Sequence, residues 1–175
     1  AALCEAAFMT GLERNADIVE MATYAPLFAH VDGWQWRPDM IWFDNLRSMP
    51  TASYYVQQMY GLNRGSRVVP TTLDKRPAAG LDGQDGLFAT VAYDEDVKDY
   101  IVKIANTSDS AQDIKLDFKG YKGKFSKMTV ETLHADEKTE NTLDNPDLVK
   151  PEKREISIES TSTPVVEVPA RTFAV

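Results

Sequence analysis

The side chains able to do chemistry in this sequence are a few carboxylates, two imidazoles and a run of aromatic rings. Paired carboxylates can cleave a glycosidic bond, one as proton donor and the other as base or nucleophile, so each acid is weighed by the element that would carry it. Glu5 falls in mid-helix, and Glu13 and Glu20 fall near the end of one helix and the start of the next, where solvation or capping accounts for them. Asp44 differs because it directly follows Met40-Ile41-Trp42-Phe43, a continuous apolar run of the kind that forms a strand buried on both faces. Active sites of α/β barrels are built at such strand ends. With only Asn45 beside it, however, Asp44 suits a contact or a turn rather than a catalytic pair. The richest feature is His30-Val31-Asp32-Gly33-Trp34-Gln35-Trp36, where rings alternate with polar groups just ahead of that strand. Indole faces stack on the apolar faces of sugars while Asp, Gln and His bond to hydroxyls, so the loop suits a carbohydrate. The same tryptophans equally suit packing between two layers of the protein, and both readings stand.

Other candidates read as structure. Gly80, Gly83 and Gly86 recur every three residues, but the order is not a dinucleotide fingerprint and Asp82 and Asp85 would repel phosphate, which leaves a hairpin or inter-sheet loop. Asp94-Glu95-Asp96 has too few ligands for a calcium loop and reads as a solvated turn. Cys4 is alone, which excludes an intramolecular disulfide and a cysteine zinc site and suggests a small buried helix residue. His134 falls in a polar stretch, at the surface, and Asn106-Thr107-Ser108 matches the glycosylation sequon, a motif short enough to indicate only a turn.

The elements that would position these groups change character along the chain. Residues 1–65 contain all three Trp and no Lys, whereas residues 66–175 contain every Lys. Ala1–Asn15 has apolar residues at helical spacing; a second helix is expected from about Asn15 to Ala25, opened by Asp17 and Glu20 and stopped by Pro26. A loop over residues 30–39, the strand 40–43 and a helix over Ser53–Leu62 stopped by Asn63-Arg64-Gly65 follow. Beyond Gly65 the period becomes strand-like, with runs at 67–73, 87–93, 100–106, 112–118, 127–133, 154–159 and 164–168. Alternation at Tyr100-Ile101-Val102-Lys103-Ile104 and Ile156-Ser157-Ile158-Glu159 predicts two stacked antiparallel sheets. A strand followed at once by a helix needs parallel neighbours, and residues 1–64 supply one strand only, so this part reads as the tail of a larger α/β domain. At 175 residues the chain is too short for a complete (β/α)₈ barrel, which takes about 250.

Charge narrows the partners. The net charge is −8 and no basic patch is dense enough to track a phosphate backbone, so no nucleic acid partner is expected. No apolar run approaches the roughly 20 residues of a membrane span, and none is expected to cross a membrane. The opening Ala1-Ala2-Leu3-Cys4-Glu5 reads as the inside of a helix rather than as a leader, and the chain as a piece of something longer.

The residues also resemble a known family. Ala6-Ala7-Phe8-Met9-Thr10-Gly11-Leu12-Glu13-Arg14-Asn15-Ala16-Asp17, Tyr24-Ala25-Pro26-Leu27-Phe28-Ala29, Trp36-Arg37-Pro38-Asp39-Met40-Ile41-Trp42-Phe43-Asp44 and Tyr54-Tyr55-Val56-Gln57 are similar to the C-terminal portion of family 51 glycoside hydrolases, the α-L-arabinofuranosidases. Asn141-Thr142-Leu143-Asp144-Asn145-Pro146 and Val168-Pro169-Ala170-Arg171 resemble that family's last strands. The resemblance implies a (β/α)₈ barrel followed by a jelly-roll sandwich, in an enzyme that removes terminal α-L-arabinofuranosyl residues from arabinan or arabinoxylan. It implies a retaining mechanism through two Glu residues, with no metal or organic cofactor, and places both Glu upstream of Ala1. No catalytic role is carried onto any residue here. The fold expected is therefore mainly β: a C-terminal antiparallel, jelly-roll-like β-sandwich at 66–175, preceded at 1–65 by helices and one strand from the end of a truncated (β/α)₈ barrel. By position alone, His30, Asp32, Trp34, Trp36, Asp44 and Asn45 are expected to line the sugar subsite. The expected partner is an arabinose-containing polysaccharide or oligosaccharide reached through a longer, homo-oligomeric enzyme, with a periplasmic or extracellular location favoured. A carbohydrate-binding module and a structural or oligomerisation domain are the other readings. A barrel tail standing alone should expose Phe8, Leu12, Ile18 and Trp42, and these helices should repack on the sandwich or associate between chains.

Overall fold

In the computed structural model, which describes residues 1–136 and 138–175, a six-stranded antiparallel sheet is covered on one face by two helices and on the other by a two-stranded ladder. In chain order the elements are α1 Ala2–Arg14, β1 Phe28–His30, β2 Ile41–Phe43, β3 Ser48–Pro50, α2 Ala52–Leu62, β4 Arg67–Val69, β5 Thr72–Leu73, β6 Arg76–Pro77, β7 Leu87–Tyr93, β8 Tyr100–Asn106, β9 Gln112–Lys115, β10 Phe125–Leu133, β11 Glu152–Thr161, β12 Val165–Val168 and β13 Thr172–Ala174. The central sheet runs β11-β10-β13-β8-β7-β4, β12 pairs with β9, and β5 pairs with β6.

The strand period explains the layering. Side chains alternate across a strand, so Phe88, Ala105, Leu133 and Phe173 face the helices while Leu87, Ala89, Ile104, Val130 and Ala174 face the ladder. Val56, Met59 and Tyr60 of α2 and Ala6 and Ala7 of α1 complete the first core, and Val166, Val168, Ile114 and Leu116 complete the second. Small residues on α1 let its backbone lie close to the sheet, where the Tyr60 ring stacks on Phe173 at 5.1 Å and 8°. The mainly β, antiparallel fold expected from the sequence is the one that forms, with β7 and β8 at the residues of their β-favouring runs, although the face of β8 that carries Lys103 is buried under α1 rather than wet as its alternation suggests.

Thr51 caps α2, its Oγ1 accepting from the Tyr54 N–H, and at the far end Asn63 Nδ2 donates to Met59 O. Gly65 then lets the chain pass β7, since a Cβ there would sit 2.6 Å from Ala92 Cβ.

Four expectations are corrected. The helix expected over Asn15–Ala25 is absent: Ile18 and Met21 are 76% and 81% exposed, and an amphipathic stripe of ten residues with nothing to bury against does not hold a helix. Cys4 is exposed, because α1 turns Ala6, Ala7 and Thr10 to the sheet and Cys4 and Phe8 away from it. Residues 1–65 hold three strands rather than one, with β1 parallel and β3 antiparallel to β2. Residues 141–146 form a loop, not a strand, fixed by Asn141, which donates to Pro50 O and Val149 O and accepts from the Val149 N–H. Of the residues expected to be exposed, Phe8 and Ile18 are, Leu12 is half-buried, and Trp42 is buried in the small sheet.

Candidate functional site

The small sheet β1-β2-β3 carries the candidate site residues. Its register aligns Ala29, Trp42 and Met49, each buried, and these pack with Val31 and Leu143. Because β1 and β2 are parallel, their C-terminal ends lie on one edge, and the chain leaves β1 through His30 and Asp32 beside the point where it leaves β2 through Asp44 and Asn45. The bond from Val31 N–H to Phe43 O at 3.0 Å holds these exits together.

At that edge the His30 ring meets the Phe43 ring edge-on at 5.2 Å, and its Nδ1 accepts from the Asp32 N–H at 3.2 Å. In the neutral imidazole this leaves Nε2 as the donor. Trp34 meets Trp42 edge-on at 5.8 Å, and the Arg37 guanidinium lies over both indoles, 5.4 Å from Trp34 and 4.8 Å from Trp42. Trp34 is thus anchored yet 47% exposed, and Trp36 is 57% exposed. This half of the loop offers ring faces and polar groups to solvent on a fixed base.

Asp44 is engaged differently. Its Oδ1 accepts from the backbone N–H groups of Leu46 and Arg47, and its Oδ2 accepts from Arg47 Nε and Nη2 at 3.0 and 2.8 Å. The Leu46 N–H first, and then Arg47, hold its carboxyl below the usual carboxylate range. Arg47 Nη1 continues to Asp144 at 2.7 Å, so the turn 44–47 is tied to the 141–149 loop. Asn45 is exposed in that turn.

The remaining acids of the first 65 residues serve structure. Glu5 Oε1 accepts from the Tyr24 hydroxyl at 3.2 Å, and burial raises the Tyr24 pKa. Glu13 Oε1 lies 2.7 Å from Lys103 Nζ, whose side chain is fully buried, and Arg14 Nη1 donates to Ala78 O and Ala89 O. Glu20 is exposed. Among the described residues, no three His, Cys, Asp or Glu side chains converge as a metal centre.

Sequence reading missed Arg37 and Asp39. Arg37 sits between Trp36 and Pro38, and a cation beside rings was the available signal. Asp39 is 3% exposed with Oδ2 unpaired, and it lines a cleft of about 680 Å³ together with Arg37, Trp42, Thr51, His134 and Asn141. Nothing local marks that burial, which depends on a loop a hundred residues away.

Comparison with known proteins adds the following. The sequence model of the α-L-arabinofuranosidase C-terminal domain matches residues 1–171. An extracellular exo-α-L-arabinofuranosidase of Streptomyces chartreusis is 45% identical over 129 residues, covering 71% of this chain and 15% of that protein. α-L-Arabinofuranosidase 2 of Arabidopsis thaliana is 32% identical over 177 residues, covering 99% of this chain and 25% of that protein. Among solved structures, an arabinose-bound family 51 α-L-arabinofuranosidase superposes with a TM-score of 0.88 at 32% identity, over 99% of this chain and 26% of its own. The α-L-arabinofuranosidase of Thermotoga maritima, in complex with arabinose, shares the fold with a TM-score of 0.76 at 20% identity, over 99% of this chain and 38% of its own. The chain spans a quarter or less of the length of these two curated relatives.

Proposed function

Because this chain belongs to the α-L-arabinofuranosidase C-terminal domain family, we propose that it serves a longer family 51 glycoside hydrolase that removes terminal non-reducing α-L-arabinofuranosyl residues from arabinan or arabinoxylan. The reaction proceeds with retention, through two Glu residues outside this chain, and residues 1–65 are the end of the catalytic barrel while residues 66–175 are its companion sandwich. The observation that carries the reading is the family match over residues 1–171, joined to the fate of the acids here: Glu13 neutralises Lys103, Glu5 accepts a hydrogen bond from the Tyr24 hydroxyl, and Asp44 closes a turn. None is left as a free pair for acid and nucleophile. His30, Asp32, Trp34 and Trp36 line the sugar-facing edge, with Asp44 and Asn45 shaping it from the adjacent turn. The extracellular description of the Streptomyces relative supports a location outside the cell.

The test is hydrolysis of an aryl α-L-arabinofuranoside by the longer protein, followed by NMR of the first-formed sugar. Release of arabinose as the α-anomer is expected. No release, or release of the β-anomer, overturns the assignment. Trp34→Ala should raise KM for an oligosaccharide several-fold with less effect on the aryl substrate, as loss of a stacking face predicts.

A further inference from the structure

We propose that the open end of the sandwich, around residues 115–127, is a second binding site, for a uronate-bearing oligosaccharide. The segment Lys115-Leu116-Asp117-Phe118-Lys119-Gly120-Tyr121-Lys122-Gly123-Lys124-Phe125-Ser126-Lys127 carries five lysines against one aspartate in a chain of net charge −8. It also carries three of the five rings of a continuous aromatic cluster. Tyr121 stacks on Phe125 at 4.9 Å and 25°, Phe118 lies 4.8 Å from Phe125, and Tyr100 joins Phe118 at 4.7 Å and Tyr93 at 4.9 Å.

The cluster sits where the two-stranded ladder is too short to cover the six-stranded sheet, beyond the end of β9 at Lys115. There it opens a cleft of about 650 Å³ whose walls include Tyr100, Phe118, Tyr121, Phe125, Lys98 and Lys153. Tyr121 is 39% exposed, and its ring position depends on Gly123, where a Cβ would fall 2.4 Å from the ring. The site is therefore an exposed tyrosine backed by a phenylalanine, which is a face for a sugar ring.

Charge selects among sugars. Lys119 is paired with Asp117, and Lys127 with Glu155 at 2.7 Å. Lys98 and Lys153 stand on the cleft walls beside Asp99 and Glu131, whose carboxylates can accept from hydroxyls, and Lys122 and Lys124 are exposed on either side of Gly123 in the loop that carries Tyr121. A carboxylate on every sugar or every few sugars complements the lysine-rich segment 115–127, and a neutral pentose chain does not. Occupancy would hold the longer enzyme on a polymer that carries uronate as well as arabinose, so this inference rests on the proposed activity.

Calorimetric titration of the chain with oligogalacturonate tests it. Binding is expected, weakened at least tenfold between 20 mM and 300 mM salt, and weakened at least tenfold by Tyr121→Ala and by the pair Lys122→Gln and Lys124→Gln. Trp34→Ala should leave it unchanged. The lysine pair lies wholly on the surface, so it reports even if Tyr121→Ala proves misfolded by circular dichroism. No binding, binding indifferent to salt or to the lysine pair, equal binding of neutral arabino-oligosaccharide, or equal binding of a single-stranded oligonucleotide of the same charge overturns the proposal. Failure here leaves aryl arabinofuranoside hydrolysis intact, whereas failure of the enzyme assignment abolishes that hydrolysis and leaves this titration unaffected.

Discussion

Lys103 is fully buried at the centre of β8, with its ammonium 2.7 Å from Glu13 and 5.4 Å from the Tyr60 ring. Removing one partner of a buried pair strands the other charge, so Glu13→Gln should destabilise the chain by about 3 to 5 kcal/mol, whereas replacing both partners at once, Glu13→Leu with Lys103→Met, should be neutral or stabilising. Denaturant titration of both variants checks the asymmetry. The pair also sets a pH dependence. Desolvation lowers the Lys103 pKa in the folded chain below the ordinary 10.5 that the unfolded chain retains. Between the two values the unfolded state holds a proton that the folded state has lost, so the Lys103 contribution to stability rises with pH through that window. The stability of the wild type relative to Lys103→Met should therefore increase as pH approaches 10.5, and a flat difference would contradict it. Asn106 gives a second prediction at this scale. It is fully buried and its Nδ2 donates to Ser110 O, Val168 O and Pro169 O, so the sequon should carry no glycan after secretion from a eukaryotic host, as intact mass will show.

At the scale of elements, the segment between α1 and β1 is the weak part of the chain. Amides of residues 20–25 should exchange with deuterium within seconds, while those of β7 and β8, buried on both faces, should be protected for orders of magnitude longer. Protection of 20–25 comparable to β8 would mean that the expected helix does form. How legible each element was follows from what holds it. The strands β7 and β8 were readable to the residue because each is a seven-residue β-favouring run bounded by turn residues. β1 and β3 were not, since three residues carry no period. β13, also three residues, is held by register with β8 and β10 rather than by its own sequence. The candidate site was legible only as a run of rings and polar groups at 30–36. The tie from Asp44 through Arg47 to Asp144 was not, because Asp144 lies 97 residues from Arg47 and leaves no local mark.

For the molecule as a whole, the exposed apolar side chains are uneven. Phe8, Ile18, Met21, Leu27, Phe28, Trp34, Trp36, Leu46 and Leu62 all lie in the first 65 residues, on the layer opposite the two-stranded ladder or on the small sheet beside it. A face of that kind is ordinarily covered. The isolated chain should therefore self-associate with rising concentration in sedimentation, and Ile18→Glu with Met21→Lys should shift it toward monomer without loss of strand content. The central claim is that a folded chain of this family can hold the sandwich and the sugar-facing edge while lacking the acid pair. It is tested most directly by assaying the purified 175-residue chain on an aryl α-L-arabinofuranoside, at concentrations where circular dichroism shows it folded. The account predicts release at the uncatalysed rate, and turnover above that rate, abolished by substitution of any one Glu or Asp in this chain, would contradict it.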